Sequence, residues 1–341
     1  MIIRTLLLAA SVCTPQDSFP QWGIGPIAGY SSTVGVMGGA QVSLMWPTTV
    51  LAGEVSASTR GAVTFGPELT VRGRTTGLRA SVLYEKQLES EYYGPGNGGD
   101  PDTSAAYDIE QQEAEALLTW SPGYDLKLGL GLVARHSTTF DREDSPLWDQ
   151  CPTGLTGSQM SAGPRLEAEW LGELVLPVSA STAFLHQEGG DASYSRLKGQ
   201  LAAYLPLGPT TVLAGRGRLS RHWNTASTPF PYQLFLGSLQ GLRGYREGRF
   251  SGDWALLCSA ELRQEVLRAT GPRGMDIALA LVAFGDAGQV ADGLEALAMD
   301  RFHGSGGLGI RVMLPGNMVM AVDGALSPEG FGLSTGYGHT F

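Results

Sequence analysis

Long apolar runs are missing from this chain: none of its 341 residues belongs to a stretch approaching the roughly 18 apolar positions of a membrane-spanning helix. Charge is sparse as well, at 16%, and it is unbalanced, 23 basic side chains against 33 acidic for a net charge of -10. That balance excludes the basic footprint of a general nucleic-acid-binding protein, so no nucleic-acid partner is expected. Cysteine is nearly absent, at three. Cys151 and Cys258 lie far apart in sequence, and a disulfide between them is allowed without being implied. The five histidines (His136, His186, His222, His303, His339) are scattered, with no i, i+4 pair and no cysteine grouping. Nothing there points to a metal site, and no cofactor is implied. What the chain has in quantity is glycine, 48 residues, at near-neutral mean hydropathy. That is the texture of a transmembrane β-barrel, whose lipid and lumen faces alternate along each strand and average out. A large soluble β-sandwich or barrel is the rival at this level.

The first thirteen residues carry one basic side chain, Arg4, then a short apolar run and small residues. This is the outline of a secretory signal over 1–13, followed by a short segment over 14–21 and a barrel over 22–341. Val12 is a poor neighbour for a lipid-modified Cys13. From Trp22 onward the chain alternates. Trp22–Tyr30 and Val34–Trp46 form a hairpin around Ser31–Thr33. Thr49–Ser56, Val63–Arg72, Leu78–Gln87, Glu113–Trp120, Leu126–Arg135, Ser161–Trp170, Leu174–Leu185, Ser195–Leu205 and Thr211–His222 follow. Each is about 8 to 13 residues long, enough for a tilted strand to cross a bilayer. Short turns such as Ser121–Gly123, Gly172 and Leu207–Pro209 alternate with long polar connections, Glu89–Ala106 and Asp141–Gln159. Asp108–Leu118 comes nearest to a helix in composition, and its second half is read as strand.

The C-terminal strands show the clearest two-residue period. In Phe331–Phe341 the odd positions are Phe331, Leu333, Thr335, Tyr337, His339 and Phe341, and the even ones are mostly glycine. Large side chains face lipid and small ones the lumen. By the same parity Leu308, Ile310, Val312 and Leu314 face out and Arg311 in; Met318, Met320 and Val322 face out and Asp323 in. Five strands of this kind (Trp254–Val266, Met275–Gly285, Gly304–Leu314, Asn317–Leu326, Phe331–Phe341) follow the eleven earlier ones, about sixteen in all. An even count is what a closed single-chain barrel requires.

Between the eleven and the five lies Phe235-Leu-Gly-Ser-Leu-Gln-Gly-Leu-Arg-Gly-Tyr245, continuing through Arg246 and Arg249 to Trp254. It is too glycine-rich for a helix, and its arginines at 243, 246 and 249 are evenly spaced. Leu242-Arg-Gly-Tyr245 resembles the signature of the sixth outer loop in the bacterial surface antigen superfamily, the BamA- and TamA-like outer-membrane barrels. The lead-in Phe230–Ser238 is similar, with Ser238 where glycine is more usual. Ala260–Val266 resembles the next strand, with its inward Glu261. Phe284-Gly-Asp-Ala-Gly288 resembles the Phe-x-Asp-x-Gly strand that follows, and Leu326–Gly330 and the final Phe341 also fit, Phe341 as the C-terminal barrel signal.

The resemblance implies an all-β transmembrane barrel of about sixteen strands, with this loop folded inward, in the bacterial outer membrane. Parity agrees with it. With Glu261 inward, Leu257, Ser259, Arg263 and Glu265 join it, while Leu256, Cys258, Ala260 and Leu262 face lipid. With Asp286 inward, Val282 and Phe284 join it. An arginine inside a barrel must be paired, since burying a lone guanidinium is costly. Glu261 and Asp286 are the natural partners of Arg243, and Gly241 and Gly244 let the loop turn tightly beside the wall. Arg243, Gly244, Tyr245, Glu261, Phe284, Asp286 and Gly288 are thus the expected latch, structural rather than catalytic.

The first strand begins near Trp22, which leaves no room for a POTRA domain and makes the chain similar to the POTRA-less branch. The implied function is insertion or export of proteins or lipids at the outer membrane, without enzymatic chemistry. The partners implied are outer-membrane lipid, client outer-membrane or secreted proteins, and a separately encoded periplasmic partner. A passive channel or structural barrel is the alternative, and an enzyme acting on lipids a third class. Gly332–Gly336 fits G-x-S-x-G around Ser334, but mid-strand, where a nucleophile elbow cannot form. Gly304–Gly309 fits G-x-G-x-x-G with no helix after it. The barrel seam is expected between Trp22–Tyr30 and Ser334–Phe341.

Overall fold

The computed structural model describes residues 20–337, apart from 32–33, 143, 152–156, 174–175, 191, 225–227, 239–240, 271–275 and 315–317. The expected signal, Cys13, His339 and Phe341 lie outside the described residues. Sixteen antiparallel strands form one sheet in which each pairs with its neighbours in the chain. In order they are β1 (Gln21–Ser31), β2 (Gly35–Met45), β3 (Thr49–Ser58), β4 (Val63–Arg72), β5 (Thr76–Tyr92), β6 (Ala105–Trp120), β7 (Leu126–Asp141), β8 (Gly157–Glu173), β9 (Pro177–Gly189), β10 (Ala192–Pro206) and β11 (Thr211–Trp223). After the long connection come β14 (Trp254–Thr270), β15 (Asp276–Ala291), β16 (His303–Leu314), β17 (Met318–Ser327) and β18 (Gly330–Tyr337). Within that connection β12 (Phe235–Leu236) and β13 (Phe250–Ser251) pair with each other. The sheet curls until its first and last strands meet, where Thr335 Oγ1 accepts from the Tyr30 amide and donates to the Tyr30 carbonyl at 3.5 Å. Among the described residues no backbone ladder joins β1 to β18.

This barrel is apolar outside and charged inside. Leu308 is 71% exposed, and Leu118, Leu132 and Leu326 are exposed too, whereas Arg311 and Glu261 are both at 0%. A water-soluble protein does not spread so much exposed leucine over a continuous band; a lipid solvent accounts for both faces. Trp22, Trp46 and Trp120 ring the end that carries the short turns, as aromatic girdles do at a membrane interface. Trp223 and Trp254 stand at the long-loop end, with the Arg221 guanidinium 4.6 Å from the centre of the Trp254 ring.

Several strands run further than periodicity suggests. The acidic stretch from Asp108, helical in composition, is strand throughout β6, with Glu113 and Glu115 turned inward to Arg135 and Arg79. Pairing with lumenal arginines overrides helix propensity there. Both β5 and β6 extend into the expected Glu89–Ala106 loop, past a register shift between Gln87 and Ser90. Gly172, read as a turn, lies within β8. Cys151 is buried under the long loops and Cys258 is exposed on the outer face, both as free thiols.

Candidate functional site

The connection from β11 to β14 brings its arginine against three strands, β14, β15 and β17. The Arg243 guanidinium donates to Asp286 through Nε at 2.7 Å and Nη2 at 2.9 Å, to Glu261 through Nη1 at 2.8 Å, and to Asp323 at 3.2 Å. Its backbone N–H also reaches Asp286, at 3.3 Å. The plane sits over the Phe284 ring, 3.4 Å from its centroid, adding a cation–π contact. Strand register explains how these groups converge. Ser259 pairs with Asp286 and Glu261 with Phe284 across β14–β15, while Gly309 pairs with Asp323 across β16–β17.

Two further arginines complete the set. Arg311 bonds Asp323 at 2.6 Å and approaches Glu261 at 3.7 Å, and Arg263 bonds Glu261 at 2.8 Å. Three guanidinium groups therefore face three carboxylates, so each buried charge has a counter-charge to offset part of its desolvation. Arg311 and Asp323 were placed inward by parity but not joined to Arg243; the register between their strands was the signal that could have united them.

Space for this network comes from glycine. A Cβ at Gly309 would lie 2.0 Å from Asp323 Oδ1, and one at Gly307 would lie 2.6 Å from the Phe284 ring. Gly244, at φ +87°, packs its backbone against β18, since a Cβ on Gly332 would come within 3.1 Å of the Gly244 Cα. Ser327 Oγ donates to the Gly244 carbonyl at 2.8 Å. Gly288 leaves room for Leu236, which a Cβ there would meet at 2.8 Å.

The apolar residues of the connection are buried with it. Leu236, Leu242, Tyr245 and Phe250 form one cluster with Ala255, Leu257 and Val290 of β14 and β15. Tyr245 donates to the Gly304 carbonyl at 3.1 Å. The other two arginines reach the outer connections instead. Arg249 holds Glu329 at 2.9 Å and bonds the Gly99 carbonyl. Arg246 lies 3.5 Å from Glu91 and donates to the Tyr93 hydroxyl at 3.3 Å. Burial, with the Glu91 carboxylate at 2.6 Å, pushes the Tyr93 phenol up, so it stays protonated as a donor to Glu91. Ser334 sits mid-strand in β18 and Gly304–Gly309 runs through β16, so neither adopts the strand-to-helix turn its motif needs.

The profile of the Omp85 superfamily domain matches residues 72–322, which run from the last residue of β4 into β17. The chain belongs to the Omp85 superfamily. Solved structures similar to this Omp85 barrel include BamA from Haemophilus ducreyi lacking POTRA domains 1-3, at TM-score 0.65 and 16% identity over 94% of this chain and 70% of that one. CdiB from Escherichia coli is similar at TM-score 0.68 and 12% identity, over 93% of this chain and 63% of that one. CdiB from Acinetobacter baumannii follows at TM-score 0.59 and 13% identity, over 92% and 58%. The chain thus spans about 60 to 70% of the length of these proteins. No curated protein matches the sequence. The Omp85 assignment places the barrel in the bacterial outer membrane, with the short turns periplasmic and the long loops outside.

Proposed function

We propose that this Omp85 barrel assists the insertion or export of proteins at the outer membrane, with the β11–β14 connection turned into the lumen and pinned there by Arg243. The observation that carries this reading is the Arg243 cage: one loop arginine tied to carboxylates on β14, β15 and β17. Arg243, Gly244 and Tyr245 act as the latch, and Glu261, Phe284, Asp286 and Gly288 as its seat. The latch holds β14–β17 in register beside the junction of β18 with β1, where a client strand or lipid would engage. Client proteins and a separately encoded periplasmic partner complete the proposed cycle. The test is reconstitution. Purified protein in liposomes should accelerate the folding of an added client barrel, and Arg243→Ala should lose most of that acceleration. Steady ion conductance with no effect on client folding would overturn the proposal in favour of a passive channel.

A further inference from the structure

The lumen carries a second charged feature, away from the Arg243 cage. Strands β10 and β11 contain no aspartate or glutamate, yet their inward positions include Arg196, Lys198, Arg216 and Arg218. Register makes these four contiguous. Arg196 stands opposite His222, Lys198 opposite Ser220, Gln200 opposite Arg218 and Ala202 opposite Arg216. Successive inward positions on a strand are about 6.8 Å apart, and diagonal partners about 7–8 Å. Like charges so close on one sheet face destabilise it, and the inward side chains of β9, Ser179, Ser181, Ala183, Leu185 and Gln187, supply no counter-charge.

Two details set Arg196 and Lys198 apart. Arg196 is 7% exposed, its Nε is buried without a partner, and its Nη2 reaches only the Gln233 carbonyl, at 3.5 Å. Among the described residues Lys198 has no ion pair, and its side chain borders a lumenal cavity of about 480 Å³ with Arg196 and Arg218. Glu54, Glu68 and Glu85 line the cavity's far wall, and Glu113, Glu115, Glu167 and Glu169 line it between that wall and the patch, the first, second and third of these in ion pairs with other arginines. The cavity is roofed by Pro231–Phe235 and reaches down to Met45 and Arg72, beside the periplasmic turns.

We propose that Arg196, Lys198 and Arg218 form a binding site for a phosphate-bearing anion entering from the periplasmic side, with Arg216 adding to its field. Phosphate fits better than a carboxylate or a halide. Its several oxygens can take the forked donors of two guanidinium groups and an ammonium together. A soluble solute and a lipid headgroup both present this phosphate chemistry, and the experiment below distinguishes them.

Inorganic pyrophosphate is the probe, titrated calorimetrically at low salt into the full chain in a non-ionic detergent. Saturable binding is expected. Lys198→Gln and Arg218→Gln should each weaken it about tenfold, the effect of losing one charge-assisted contact. Lys127→Gln, which removes a lumenal lysine held by Glu169 at 3.1 Å, should leave it unchanged. No saturable binding, or an equal loss in the Lys127 variant, overturns the site.

If the variants fail to fold, footprinting of the unmodified protein tests the same point. The chain has only three lysines, Lys86, Lys127 and Lys198. Pyrophosphate should protect Lys198 alone from an amine-acylating reagent, and equal modification with and without it would refute the proposal. Displacement of pyrophosphate by dihexanoyl phosphatidate but not by glycerol phosphate assigns the site to a headgroup, and the reverse to a soluble solute. Displacement by neither overturns the phosphate reading.

Discussion

Replacing Arg243 with alanine is expected to cost the folded barrel about 3–5 kcal/mol, the usual penalty for removing one partner of a buried charge pair. The structure says where that cost falls. Two guanidinium groups would remain against three carboxylates. Glu261 keeps Arg263 at 2.8 Å and Asp323 keeps Arg311 at 2.6 Å. Asp286 loses both of its guanidinium contacts, at 2.7 and 2.9 Å, and retains a backbone N–H at 3.3 Å only if the loop stays in place. The cation–π contact with Phe284 goes too, about 1 kcal/mol of the total. Arg243→Lys should fall between, since an ammonium keeps the charge without the fork that spans Asp286 and Glu261. Pairing Arg243→Met with Asp286→Asn restores neutrality and should recover more than half of the loss, a non-additivity expected of neighbours in one network. The assay is reversible urea unfolding in lipid vesicles by tryptophan fluorescence, with the mobility of unheated protein on SDS gels as a second reading. An Arg243→Ala barrel within about 0.5 kcal/mol of the parent, near the usual range for neutral surface changes, would refute the reasoning.

Three smaller perturbations probe the same architecture. Gly244→Val forces a β-branched residue into φ +87° and towards Ala325, 3.2 Å from the new Cβ, and should cost at least about 1–2 kcal/mol by the same unfolding measurement. Gly309→Ala places its methyl 2.0 Å from Asp323 Oδ1, so the Arg311–Asp323 pair must part; Gly304→Ala on the same strand, with open space around it, should be near neutral in that unfolding assay. Leu308→Arg on the lipid face should cost about 2–4 kcal/mol if it lies near the midplane, measured in vesicles, whereas Leu308→Phe should be tolerated. In membranes, a lipid-soluble maleimide should label exposed Cys258, and a charged, water-soluble maleimide should not, with the labelled peptide identified by mass spectrometry.

Much of this was legible because a barrel strand has one strict rule. Parity from a single inward acid correctly placed Leu257, Ser259 and Glu261 inside and Cys258 and Leu262 outside on β14, and did the same for Val282, Phe284 and Asp286 on β15. Parity does not contain register. It put Arg311 and Asp323 in the lumen without showing that β16 and β17 align them beneath Arg243. Nor does alternation mark where a strand leaves the membrane. Ser90 and Tyr92 of β5 stay buried above the register shift, packed under long loops rather than against lipid. The cationic wall was missed for a related reason: Arg196 and Lys198 are close in sequence to each other but not to Arg216 and Arg218, and only the hairpin pairing makes them one surface.

The meander of neighbour-paired strands has a consequence for how the chain reaches this state. The contacts of Arg243 with Glu261 and Asp323 close loops of 18 and 80 residues, whereas the Tyr30–Thr335 contact closes one of 305. With chain entropy growing as the logarithm of loop length, the closure at Tyr30 costs about 2.5 kcal/mol more than the first of these and about 1.2 kcal/mol more than the second. The C-terminal hairpins and the loop they hold can therefore assemble as a local unit, while the junction between the two ends of the chain is the last and entropically dearest contact to form and the first to give way.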